Sequence, residues 1–180
     1  MPSATTGTRM WVSRPNEPVL FPNAMRPNEF VVESFVGALP LKFSMTQSEV
    51  ESILGPADVA SKNWKNEPSW TYHAPPELSL GFDLTTELLS HIGVGRTSGL
   101  TFAGIDLFND PGALPVLLRK HRAFLWVGFV VFNEIGLAFA DWGEKGWDRT
   151  AIVVFPEGSW DRAKDKGKPF SIADLEGAQS

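Results

Sequence analysis

The chain has no cysteine among its 180 residues. Disulfides, thiol catalysis and thiolate metal sites are therefore excluded. Histidine is scarce as well. His73, His91 and His121 each stand apart, with no metal-ligand spacing such as H-E-x-x-H. Positive charge is in deficit: 16 Lys and Arg stand against 21 Asp and Glu, a formal net charge of -5. Nucleic-acid binding needs cations to displace counterions from phosphates, so this balance argues against it and suits a basic partner. Long hydrophobic runs are missing too. The most apolar run, Ala123 to Phe132, is about half the roughly 20 residues that span a bilayer. Met1 to Arg9 hold no apolar core of signal-peptide length. The expectation is a cytoplasmic protein with no membrane or nucleic-acid partner.

Reaction motifs are absent in the same way. There is no G-x-S-x-G elbow. Gly93 to Gly99 has the wrong spacing for a dinucleotide fingerprint and lacks the Gly-Lys-Ser/Thr of a phosphate loop, so it reads as a turn. No two carboxylates are clearly brought together by a strand or helix. The expectation is a non-enzyme with no cofactor and no metal. A site assembled from distant residues stays open.

What the chain does have is apolar surface. Hydrophobic residues make up 43% and aromatics 12%, with seven Trp but one Tyr. That is enough to offset the entropy of ordering one sizeable core or two small fused ones. The clearest local signal is a helix start. Thr46 is the N-cap, Glu49 three residues on completes a capping box, and Met45 and Val50 hold the positions of a hydrophobic staple. Val50, Ile53 and Leu54 form its apolar stripe, and Gly55-Pro56 stops it. Glu49 is thereby assigned to capping rather than catalysis.

One segment occurs twice. Glu77-Leu78-Ser79-Leu80-Gly81-Phe82 and Glu134-Ile135-Gly136-Leu137-Ala138-Phe139 share pattern and phase. Each follows a helix and a strand and precedes another strand, which points to a duplicated unit of one helix and three strands. The second helix is expected from about Leu114 to His121, with Pro115 in its first turn. Other expected strands are Phe30–Val36, Ser69–His73, Leu88–Val94, an unbroken Phe124–Phe132, and Thr150–Phe155. His73 is placed across from Asp83 as an ion pair. Gly95 to Gly104 is expected to be a loop, and the chain after Asp161 a tail with one short ordered piece near Phe170-Ser171-Ile172.

In each repeat one strand face is large and apolar and the other small: Ser79 and Gly81, then Gly136 and Ala138. A small face admits close approach by another layer or by a partner. Trp64, Trp70, Tyr72, Asp141, Trp142, Glu144, Trp147 and Asp148 are the candidate partner-binding residues, because Trp and Tyr are enriched at interface hot spots and acids flank several of them. Trp142 and Trp147 packing on each other across a hairpin is the alternative.

Leu39 to Val50, followed by Ile53-Leu54-Gly55-Pro56, resembles the opening of BamE/BLIP-like domains, in which a capped helix precedes a three- or four-stranded antiparallel sheet. Ser44 stands where that pattern has Gly, and Pro56 directly follows Gly55. Glu77 to Phe82 is similar to a strand common in bacterial immunity-type proteins. The resemblance covers about residues 39 to 155, most closely the first unit. It implies an α+β fold of two fused helix-plus-antiparallel-sheet units, helices packed on one face of the sheet. The organisation expected is an extension over residues 1–38 with a strand at 30–36, units at 39–108 and 109–160, and a tail at 161–180, the two units forming one domain. It further implies a non-catalytic bacterial immunity protein that neutralises a cognate, basic toxin. The competing expectations are a small-molecule binder or enzyme using the cleft between the halves, and a structural subunit of an assembly.

Overall fold

The start of the first helix is built atom by atom as the sequence requires. The Thr46 hydroxyl accepts from the Glu49 N–H, and the Glu49 carboxylate accepts from the Thr46 N–H at 2.8 Å. The Thr46 N–H and the Thr46 hydroxyl both donate to this carboxylate and hold it below the usual carboxylate range. At the other end the Gly55 N–H donates to the Glu51 carbonyl at 2.7 Å and closes the helix.

The computed structural model describes residues 26–73, 75–143, 146–147 and 151–177. In chain order its elements are β1 (Glu29–Glu33), β2 (Gly37–Leu39), β3 (Leu41–Lys42), α1 (Gln47–Leu54), β4 (Val59–Lys62), β5 (Pro68–Tyr72), β6 (Leu78–Phe82), β7 (Leu89–Gly95), β8 (Gly99–Phe102) and β9 (Ile105–Asp106). Then come α2 (Ala113–Lys120), β10 (Ala123–Trp126), β11 (Phe129–Phe132), β12 (Leu137–Phe139), β13 (Trp142–Gly143), β14 (Gly146–Trp147), β15 (Ala151–Val154), α3 (Asp161–Lys164), β16 (Lys168–Phe170) and α4 (Ile172–Gly177). The fold is α+β, with large, mainly antiparallel sheets and few helices. Among the described residues no helix is long and apolar enough to cross a membrane.

A nine-stranded antiparallel sheet runs β16-β10-β11-β12-β15-β7-β6-β5-β4. A five-stranded sheet runs β3-β2-β1-β8-β9, with β1 and β8 parallel. In the large sheet, the strands that follow α1 occupy one half. Those that follow α2, with β16 at the edge, occupy the other. The halves meet where β7 pairs with β15. The two copies of the repeated segment, β6 and β12, flank that junction.

The core lies on one side of this sheet. Along its middle, Trp70, Leu80, Ile92, Val154, Leu137 and Phe132 stand in register from strand to strand. All but Trp70 are buried there with Val50 and Leu54 of α1, Leu114 and Leu117 of α2, and Phe30 and Leu100 of the small sheet. The alternation in β6 explains this: Leu78, Leu80 and Phe82 point inward while Ser79 is exposed.

Several expectations change. The run from Phe124 to Phe132 is a hairpin rather than one strand. Val127 (φ 45) and Gly128 (φ 79) reverse the chain in its middle. Both faces are apolar on either side of the turn, and a β-branched residue at positive φ gives no warning of it. The first strand stops at Glu33 instead of Val36, and Phe35 lies at φ 62. The supposed loop from Gly95 to Gly104 contains β8, and the supposed tail contains α3, β16 and α4, with Phe170 and Leu175 in the core. Asp83 does not meet His73. Its carboxylate accepts from the N–H groups of Thr85 and Thr86, while the His73 N–H donates to Asp58.

Candidate functional site

The face of the large sheet turned away from this core is not the same in its two halves. One row of residues crosses all nine strands in register: Val59, Thr71, Ser79, Gly93, Val153, Ala138, Val131, Phe124 and Pro169. Residues in one such row share a face. In the second half, Ala138, Val131 and Phe124 are buried in a separate apolar cluster with Phe155. Trp160 and Ala163 pack against it from the segment around α3. The Trp160 ring meets Phe129 edge-on at 5.2 Å between centroids and lies tilted against Phe155 at 5.6 Å.

In the first half the row is Val59, Thr71, Ser79 and Gly93, with no aromatic residue. Val59 and Ser79 are exposed and Thr71 half-buried. The next row is Ser61, Ser69, Gly81 and His91. Gly93 is sheltered by the Ser79 side chain, Gly81 by the His91 ring and Gly95 by the Glu77 carboxylate. Among the described residues, no apolar cluster covers this half as the Trp160 cluster covers the other. Burial lowers the His91 pKa below the ordinary imidazole value, with Glu67 pulling it back up and Lys65 reinforcing the fall. The imidazole is therefore neutral at physiological pH.

The small faces anticipated for the two repeats are thus not equivalent. Ser79 and Gly81 belong to the open half. Ala138 is under the second cluster. Gly136 precedes β12 at φ 72, with its α-carbon facing the Phe155 carbonyl, so it serves a turn and not a strand face.

The candidate aromatics separate to opposite edges of the sheet. Trp64 sits in the turn between β4 and β5 and is 89% exposed. The turn is tied by Asn63, whose side-chain carbonyl accepts from the N–H groups of Lys65 and Glu67. The Lys65 ammonium lies 5.1 Å from the Trp64 ring centroid. Trp70 faces the core and meets Phe82 edge-on at 4.9 Å. Tyr72 is fully buried. Its hydroxyl donates to the Gly55 carbonyl at 3.1 Å and its ring lies under the Arg26 guanidinium. Trp70 and Tyr72 are therefore on the covered side of the sheet.

At the far edge, Trp142 packs edge-on against Phe170 of β16 at 4.8 Å. Trp142 and Trp147 stand opposite each other in register. Asp141 is exposed at φ 61. Glu144 and Asp148 lie outside the described residues.

A cavity of about 1210 Å³ opens on the second half. Its floor includes Leu118, Phe124 and Phe170, and its rim Arg122, Glu134, Glu157 and Lys164. Glu134 accepts from the Arg122 N–H at 2.6 Å, and Asn133 donates to Asp161 at 3.0 Å. This cavity lies beside the ends of α2 and α3, away from the β7–β15 junction. Among the described residues no group of three or more His, Asp or Glu is placed to hold a metal ion.

Thr71, Gly93 and Trp160 were not singled out from sequence. The available signal was helical spacing, since Trp160 and Ala163 lie three residues apart on one stripe. No family model, no curated protein and no solved structure matches this chain.

Proposed function

We propose that this chain is a non-catalytic immunity protein that binds and neutralises a cognate bacterial toxin through the open half of its large sheet. One observation carries the reading. A single register row is sealed by Trp160 and Ala163 in the second half, yet presents Val59, Thr71 and Ser79 outward in the first. A flat face of small residues lets a partner approach the backbone closely, and occlusion needs shape complementarity and a few anchors, not a reactive group. Trp64 stands at the rim of this half as such an anchor. The acidic balance of the chain, -5, suits a basic toxin. The strand order supports the idea of two fused helix-plus-sheet units: α1 leads β4 to β7, and α2 leads β10, β11, β12 and β15. In this reading the helices share one face, and the other became a binding surface in one copy alone.

The test is co-expression with a toxin encoded beside this gene. Growth rescue and co-purification are expected. Ser79→Arg and Thr71→Arg should abolish both while leaving the melting temperature unchanged. Lack of rescue by the unmodified chain rejects the reading.

The cavity on the second half favours a second reading, a small-molecule binder. A floor of apolar side chains with charged groups at the rim is the usual make-up of a ligand pocket. A ligand-dependent rise in melting temperature, lost in Phe124→Ala, would support it over the first.

A further inference from the structure

The two edges of the nine-stranded sheet are finished differently. At one edge, β16 carries Pro169, which has no N–H to offer a further strand. At the other, β4 has no proline and keeps unbroken register with β5 from Val59↔Thr71 to Lys62↔Pro68. All four of its residues are exposed. An edge of this kind is a template for another strand.

The phase of the edge can be read from its neighbour. The Asn63 N–H donates to the Glu67 carbonyl at 2.9 Å. Hydrogen-bonded pairs alternate along an antiparallel ladder. Ser61↔Ser69 and Val59↔Thr71 are therefore the next bonded pairs, and the N–H and carbonyl groups of Ala60 and Lys62 point outward.

We propose that β4 pairs antiparallel with β4 of a second copy of this chain, about a two-fold axis through Ala60. Charge selects that register over its neighbours. Centring on Lys62 would set two ammonium groups face to face. Centring on Ser61 would leave Lys62 opposite Ala60 and without a charged partner. Centring on Ala60 sets Lys62 of each copy opposite Asp58 of the other, twice, and Val59 opposite Ser61. Lys62 and Asp58 are both exposed, and the Asp58 carboxylate, which already accepts from the His73 N–H at 2.7 Å and lies 3.9 Å from Arg26, would take the Lys62 ammonium as a further partner. The axis runs perpendicular to the sheet, so the open rows of both copies lie on the same side and form one doubled surface. A ladder this short buries little area, so the association is weak and concentration-dependent.

Sedimentation velocity on the full chain over a concentration series tests the proposal. The average sedimentation coefficient should climb from monomer toward dimer. Lys62→Asp should weaken association by about tenfold or more, since two opposed pairs become repulsive. Combining it with Asp58→Lys should restore the affinity. Asp58 also holds the His73 N–H and Arg26, so that swap can disturb the fold. Ala60→Pro covers this case: it removes the outward N–H without changing charge, and should abolish the dimer with the circular dichroism spectrum intact. A monomer at every concentration overturns the proposal. So does a dimer indifferent to both Ala60→Pro and Lys62→Asp.

Discussion

The imidazole of His91 fills the space above Gly81, its partner across the ladder between β6 and β7. The ladder shifts register directly after this pair, between Gly81 and Phe82. A methyl group at position 81 would occupy the volume of the ring. Gly81→Ala should therefore turn His91 outward and cost about 1–3 kcal/mol, as over-packing does. Adding His91→Ala should return part of that loss. Denaturant titration of the two single variants and the double variant measures the coupling. Strictly additive losses would mean that the ring and the glycine do not compete for the space.

The same burial sets a pH dependence. The folded His91 has a pKa below 6.5, while the unfolded chain takes up its proton near that value. Between the two, the unfolded state holds more protons, so stability rises with pH. The contribution of neutral His91 is complete above about 6.5 and is lost as the pH falls through this window. The carboxylates with depressed pKa values, Glu49, Asp83, Asp106 and Asp174, act at lower pH, below their ordinary values of 4.5 and 3.8. Melting temperature followed from pH 7.5 downward should therefore fall in two stages, the first beginning near the ordinary imidazole value of 6.5. His91→Gln should remove the first stage alone. A first stage that survives this substitution rules His91 out as its source.

Tyr72 gives an optical probe, because it is the single tyrosine of the chain. Burial raises its pKa to about 12, against the pull of the Arg26 guanidinium. The neutral phenol is the form the fold holds. Stability from it is present below the ordinary value of 10 and is lost as the pH rises from there toward about 12. Phenolate absorbance should appear above pH 10 only as the chain unfolds, and near 10 at once in denaturant. Tyr72→Phe should cost about 0.5–1.5 kcal/mol, since the Gly55 carbonyl at the end of α1 loses its donor. An absorbance step near 10 in the folded protein would place the hydroxyl in water.

How far the sequence reached depended on how local each signal was. The helix at Thr46 was legible residue by residue, because a capping box is complete within four positions. β6 was legible because its alternation separates one buried face from one exposed face. Phe124 to Phe132 misled for the opposite reason. Its strands are apolar on both sides, one facing the core and the other facing Trp160, so periodicity carries no turn signal. β4 was missed because an exposed edge strand has no apolar face to alternate. The candidate partner-binding aromatics follow from residue type alone. Only the register shows that Trp70 and Tyr72 turn inward while Thr71 between them turns out. The difference between the two halves of the sheet depends on Trp160, far along the chain from the strands it covers, and no local pattern encodes that contact.

That difference gives the final prediction. Trp160 packs against Phe129 and Phe155 and closes the second half of the face over Ala138 and Val131. Trp160→Ala should cost about 2–4 kcal/mol, combining lost burial with lost ring contacts. It should also expose enough apolar surface to bind a hydrophobic dye. Ser79→Arg lies on the same face in the other half, where the side chain is exposed. It should change stability by no more than about 0.5 kcal/mol and leave dye binding at its original level. The pair of variants compares one face in two environments. A severe loss in Ser79→Arg would mean that the first half is covered as the second is, and an open sheet surface there would no longer be tenable. A mild effect of Trp160→Ala would remove the contrast from the other side, since the second half would then stay closed without its lid.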